Sequence, residues 1–156
     1  MAHKHSVYDT DNHFTIDPVS RSIRQESGKT KLMQHDHNSE RYTFELSRYI
    51  EGHDMSLCND IKIHYINASD DKFGLSEGPY IVNDMQVDPT SEGLIIFSWL
   101  IPGTATMYPG TLSFAISFAC VNDANIDYAW HTDVFSEITI SGGIHNIGLD
   151  GVLGGV

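Results

Sequence analysis

The chain of 156 residues carries nine histidines, and two pairs of them, His3-x-His5 and His35-x-His37, are spaced as metal ligands can be. On an extended chain residues two apart face the same side, so each pair can offer two imidazoles to one ion. Asp36, Asn38 and Glu40 add oxygens beside the second pair. A stable zinc or iron site takes three or four ligands, and one pair supplies two. Such a pair holds an ion only where symmetry brings copies together. The expectation is therefore polar loop histidines, no resident metal and no cofactor.

Nucleophilic chemistry has less to stand on. Ser, His and Asp are plentiful, but there is no Gly-x-Ser-x-Gly elbow, and a triad is defined by geometry rather than abundance. Neither Cys58 nor Cys120 has surroundings that mark an activated thiolate. Both lie in or beside expected strands and read as buried free thiols. The acidic stretch Asn67-Ala68-Ser69-Asp70-Asp71-Lys72-Phe73-Gly74 lacks the ligand spacing and terminal Glu of a calcium loop and contains a lysine. It reads as a solvated hairpin loop, and its Asn67-Ala68-Ser69 glycosylation sequon as coincidence. Sugar binding would need exposed aromatics from among Tyr8, Trp99, Tyr108, Tyr128 and Trp130. Trp99 lies in the most apolar run and reads as core, which leaves Tyr128-Ala129-Trp130 as the better platform. No enzyme is expected.

The elements that would position these residues are strands. Tyr42, Phe44 and Leu46 alternate with a polar face of Arg41, Thr43 and Glu45; Ile61, Ile63 and Tyr65 alternate with Lys62, His64 and Ile66. From Thr111 to Val121, Leu112, Phe114, Ile116, Phe118 and Cys120 alternate with the small Ser113, Ala115, Ser117 and Ala119. That is a central strand with its large side chains inward. Leu94 to Ile101 is apolar on both faces, bounded by Gly93 and Pro102-Gly103, and fits a fully buried strand. Tyr80 to Val87 and Val134 to Ile140 complete the set, with a hairpin loop at 88–93. Ser47 to Met55 has room for one helical turn at most. An antiparallel β-sandwich follows, jelly-roll or immunoglobulin-like.

The ends differ from this body, which spans 41–141. Residues 1–40 form a polar arm with a small hairpin: His13 to Ile16, a turn at Asp17-Pro18-Val19-Ser20, then Arg21 to Ile23. An isolated hairpin is marginal in water, so the arm must lie on its own domain, lie on a neighbour, or stay loose. Residues 142–156 are glycine-rich and nearly uncharged, and read as a docked tail. The apolar side chains of these two ends, Phe14, Ile16, Ile23, Ile144, Ile147 and Leu149, are the expected partner contacts.

Charge narrows the partners. Twenty-one acidic against nine basic residues give a net charge of -12, which repels phosphate backbones and anionic lipid. Neither nucleic acid nor membrane is expected to bind. No apolar run approaches the roughly 20 residues of a spanning helix, and the polar start Met1-Ala2-His3-Lys4-His5 is not a secretory signal. Synthesis in the cytoplasm is expected.

Several strings stand out: His5-Ser6-Val7-Tyr8-Asp9-Thr10-Asp11-Asn12-His13-Phe14-Thr15-Ile16-Asp17-Pro18, His35-Asp36-His37-Asn38-Ser39-Glu40-Arg41-Tyr42-Thr43-Phe44-Glu45, Gly52-His53-Asp54-Met55-Ser56-Leu57-Cys58-Asn59, His64-Tyr65-Ile66-Asn67, Ser98-Trp99-Leu100-Ile101 and Phe118-Ala119-Cys120-Val121. Together they resemble proteins encoded by tailed phages and prophages of Gram-positive gut bacteria. The stretch 35–140 also resembles in layout the N-terminal β-sandwich domain of the upper baseplate protein of Gram-positive siphophages. That resemblance implies a virion structural protein made in the bacterial host cytoplasm. It would be an adaptor attaching baseplate, fibre or receptor-binding components, with other virion proteins and copies of itself as partners. The baseplate family continues into a helical linker, whereas this chain continues into a glycine-rich tail. A capsid-decorating or head-fibre role therefore stands as the alternative. A carbohydrate-binding module of an adhesin, with a cell-surface glycan as ligand, is the second.

Overall fold

The computed structural model describes residues 12–68 and 78–142, and strands dominate them. In chain order they are β1 (His13–Ile16), β2 (Ile23–Ser27), β3 (Lys31–Met33), β4 (Arg41–Ser47), β5 (Tyr49–Ile50), β6 (His53–Asp54) and β7 (Asp60–Asn67). There follow β8 (Tyr80–Ile81), β9 (Gln86–Asp88), β10 (Ser91–Leu100), β11 (Gly110–Asn122), β12 (Asn125–His131) and β13 (Phe135–Ser141). One sheet has the order β2-β1-β4-β10-β9; the other runs β3-β13-β11-β7-β8, with β12 also on β11. β5 and β6 form a separate two-stranded ribbon. This is the all-β sandwich that the alternation predicts, with one difference. β1 runs parallel to β4 and β3 parallel to β13, so the sheets are mixed rather than antiparallel. Each parallel pair joins strands that are not sequence neighbours, and a tight turn cannot make such a connection.

The expected inward faces are the observed ones. Tyr42, Phe44 and Leu46 of β4, Ile61, Ile63 and Tyr65 of β7, and Leu112, Phe114, Ile116 and Phe118 of β11 are buried with Ile95, Phe97 and Trp99 of β10. Phe114 is the hub, with ring centroids 5.1 Å from Trp99, 5.3 Å from Phe135 and 5.8 Å from Phe44. Thr43, assigned to a polar face, is buried as well. It lies in the middle of its sheet, with His13 on one side and Ser98 on the other. Outward there does not mean exposed. Tyr80 to Val87 is not one strand but two, β8 and β9, which belong to different sheets. Between them the Asp84 carboxylate accepts from the Ser98 amide at 3.0 Å and from the Ser98 hydroxyl, taking the place of strand pairing there.

The N-terminal hairpin forms where expected, with Asp17 Oδ1 accepting from the amides of Val19 (2.8 Å) and Ser20 (3.0 Å). It is not an arm set apart from the body. β1 lies between β2 and β4, which resolves the marginality of a lone hairpin by burying its apolar face in the sandwich. Asn12 fastens the entry. Its amide donates to Glu40 Oε1 at 3.0 Å, its side-chain oxygen accepts from the Lys29 amide at 2.9 Å, and its carbonyl accepts from the Thr43 amide.

β12 and β13 lie along the same side of β11 as one interrupted strand. Thr132 seals the break: its amide donates to the Ile116 carbonyl and its hydroxyl accepts from the Ile116 amide, both at 2.9 Å. The first hairpin's turn reaches this point too, because Asp133 donates its amide to the Arg21 carbonyl and the Arg21 guanidinium lies 4.9 Å over the Trp130 ring. At the start of β11, Gly110 is required by close approach. Its φ is 128°, and a Cβ there would meet the Ala68 Cβ at 2.5 Å.

Candidate functional site

Between the β5–β6 ribbon and the end of β11, the fold gathers a histidine and both cysteines. The ribbon turns through Glu51 (φ 50°) and Gly52 (φ 83°), the mirror-image turn that suits a two-residue hairpin. Arg48 closes it with a two-pronged ion pair, Nε to Asp54 Oδ1 at 3.0 Å and Nη2 to Oδ2 at 3.2 Å. These bonds, with those from Ser56, hold the Asp54 carboxyl well below its ordinary value. Asp54 also caps a short 3-10 turn, Met55–Leu57, by accepting from the Ser56 amide, and Cys58 follows as the turn's last cap. Met55 anchors the turn in the core.

Asn59 then sets Cys58 against β11. Its side-chain amide donates to the Val121 carbonyl at 2.9 Å, its side-chain oxygen accepts from the Val121 amide at 2.8 Å, and its own amide donates to the Ala119 carbonyl. Those contacts bracket Cys120. The outcome is a Cys120 Sγ–Cys58 Sγ separation of 3.7 Å and a Cys120 Sγ–His53 Nε2 separation of 3.5 Å. Ligand atoms of all three residues lie within 4.8 Å of one another. Cys58 is buried, while Cys120 and His53 are half-buried. Tyr128, the cross-strand partner of Cys120, stacks on the His53 ring at 3.6 Å and 9°. Burial, reinforced by the bond from Cys120, pushes the Cys58 thiol up to about 12. It is not the low-pKa thiolate that nucleophilic catalysis uses.

Cys58, Cys120 and Tyr128 were singled out in the sequence; the other residues singled out there fall elsewhere. His35 and His37 are both exposed. Positive φ at His35 (73°) and Asn38 (58°) breaks the extended geometry that would pair the imidazoles, and His37 Nδ1 accepts from the Gly103 amide at 2.8 Å. His3, His5, Tyr8 and most of the acidic loop lie outside the described residues. Trp99 is buried, as expected; Trp130 is buried as well, 5.6 Å from Phe118, so the Tyr128–Trp130 platform is turned inward. Of the expected partner contacts, Phe14, Ile16 and Ile23 are buried in the chain's own core. That burial corrects their assignment, because a side chain packed inside the sandwich is not free for a neighbour. Ile144, Ile147 and Leu149 lie outside the described residues.

The second sheet carries its small residues outward. Ser113 and Ala115 of β11, with His64, Ile66, Pro79 and Val134, line an open groove of about 410 Å³. Ile66 is 44% and Val134 66% exposed. Burial holds the His64 imidazole below its ordinary value, and its Nε2 lies 2.8 Å from Ser117 Oγ. Among the described residues no helix is long and apolar enough to cross a membrane.

No family model matches the chain and no curated protein matches its sequence. Among solved structures, the chain is similar to the N-terminal domain of phage TP901-1 ORF48, with a TM-score of 0.49 and 12% identity over 83% of this chain and 96% of that one. A likeness this distant says nothing of a shared role.

Proposed function

We propose that the chain is a structural protein of a tailed-phage virion, a β-sandwich adaptor that holds baseplate, fibre or receptor-binding components to the particle. The observation that carries this reading is the outer face of the second sheet, which no other element covers among the described residues. A row of small side chains along β11 lies beside exposed Ile66 and Val134, an open groove that a neighbouring subunit's strand or loop can enter closely. Exposed apolar groups clustered this way mark interaction surfaces. The resemblance of its sequence strings to those of phage and prophage proteins is in keeping with the same reading. So does the net charge of -12, which favours basic protein partners over nucleic acid.

The test is composition of the particle. Density-banded virions from a host carrying the gene, analysed by quantitative mass spectrometry, are expected to contain the chain in a fixed ratio to a major tail protein. Particles that lack it, from cells in which it is abundant, would refute the proposal. Cross-linking on the same particles separates attachment at the tail from decoration of the head.

A further inference from the structure

We propose that His53, Cys58 and Cys120 form a binding site for one zinc-class cation, a site independent of any role in the particle. The ligand chemistry is that of a known type: one imidazole and two thiolates suit zinc and other thiophilic divalent ions, with a fourth position left open. The spacing argues the same way. Bond lengths of about 2.3 Å to sulfur and about 2.0 Å to nitrogen place tetrahedral ligands about 3.8 Å apart for S–S and about 3.5 Å for S–N. Two of the three observed separations match, 3.7 Å between the sulfurs and 3.5 Å from Cys120 Sγ to His53 Nε2, and the third, between Cys58 and His53, is within 4.8 Å. A disulfide would instead need the sulfurs at about 2.05 Å, so at least one of the two side chains would have to move.

The surroundings hold the ligands in place without the ion. The Asn59 clip fixes both cysteine backbones, the Arg48–Asp54 pair fixes the ribbon that carries His53, and Tyr128 lies flat on the imidazole. Binding displaces the two thiol protons to solvent, giving a neutral site from Zn²⁺ and two thiolates. The half-buried Cys120 and His53 leave the remaining position to water or to a small ligand. The site joins the β5–β6 ribbon to the second sheet, a link that among the described residues no other cluster of three such ligands makes.

The experiment uses the untagged full chain, reduced and then freed of reductant under argon, titrated with Co²⁺ and with Zn²⁺. One equivalent of Co²⁺ is expected to give thiolate-to-cobalt charge transfer and the strong visible bands of tetrahedral coordination, displaced by one equivalent of Zn²⁺. Cys120→Ser and His53→Ala, at half-buried positions, should each weaken binding by more than about 100-fold, beyond the roughly 10- to 100-fold that loss of an outer-shell partner costs. The pair His35→Ala and His37→Ala should leave the bands unchanged. Circular dichroism of each variant checks that the fold survives. Three results overturn the proposal: no charge transfer with excess Co²⁺ on the folded reduced chain, bands that persist undiminished in folded Cys120→Ser, or bands lost only with His35 and His37.

Discussion

Replacing Phe14 by Ala removes a ring that is 0% exposed from a cluster in which it lies 4.7 Å from Tyr42, 5.0 Å from Phe44, 5.6 Å from Phe135 and 6.1 Å from Phe114. Emptying a buried Phe site costs about 3–5 kcal/mol. Aromatic pairs add about 0.5–1.5 kcal/mol beyond area burial, so the upper half of that range is expected. A domain of this size has a total stability of about 5–15 kcal/mol, which leaves the variant a reduced reserve. Equilibrium unfolding in urea, followed by Trp99 and Trp130 fluorescence, is the assay. With a slope of about 2 kcal/mol per molar, within the usual range, a loss of about 4 kcal/mol lowers the midpoint by roughly 2 M. Val19→Ala in the same hairpin, at a side chain 90% exposed, is the control and should stay within about 0.5 kcal/mol. If Phe14→Ala is as mild as Val19→Ala, β1 is not part of the folded body and the account of its packing is wrong.

Amide exchange gives an independent view of the same strand: the amides of Phe14 and Ile16 should exchange as slowly as those of β11 in the isolated chain, and rapid exchange there would contradict the sheet order. Tyr42→Phe is expected to be neutral or stabilising, because the Tyr42 hydroxyl is buried with no hydrogen-bond partner among the described residues and an unsatisfied buried group is a cost; a clear fall in melting temperature would reveal a partner for it. Glu40 loses some charge stability to burial, but the bonds from Lys29 and Asn12 outweigh that and hold its carboxyl below its ordinary 4.5. A lowered folded pKa means stability present above pH 4.5 and lost as pH falls through the folded value, so wild type should exceed Glu40→Gln at pH 7 and the gap should close in acid. A gap that widens below pH 4.5 would reverse the assigned sign.

Alternation was enough to orient β4, β7 and β11, because a strand's period of two assigns each large side chain to one face. It could not tell a solvent face from a covered one, which is why Thr43 in mid-sheet looked exposed. The β5–β6 ribbon escaped notice because Glu51-Gly52 is a weaker turn signal than Asn-Gly or Asp-Gly. β1 was legible as a hairpin strand, but its place beside β4 depends on a parallel pairing that no tight turn announces. The His53–Cys58–Cys120 cluster was hidden for a related reason. Cys58 and Cys120 meet only because Ile61 pairs with Phe118 and Asp60 with Ala119, a register invisible before the strands are matched. Isolated His and Cys codes give no warning of it, whereas the tidy His35-x-His37 spacing pointed to a loop that bends away.

The parallel pairing of β3 with β13 also has a meaning in time. A strand near residue 32 waits for one near residue 140, so its sheet edge cannot close until almost the whole described chain has left the ribosome. Folding dominated by such distant partners is slow, and the nascent chain carries open strand edges through most of its synthesis. Domains usually fold as units once they are complete. A chain stopped before β13 therefore has no smaller finished sandwich to settle into, and the making of β13 and the folding of the sandwich are close to the same event.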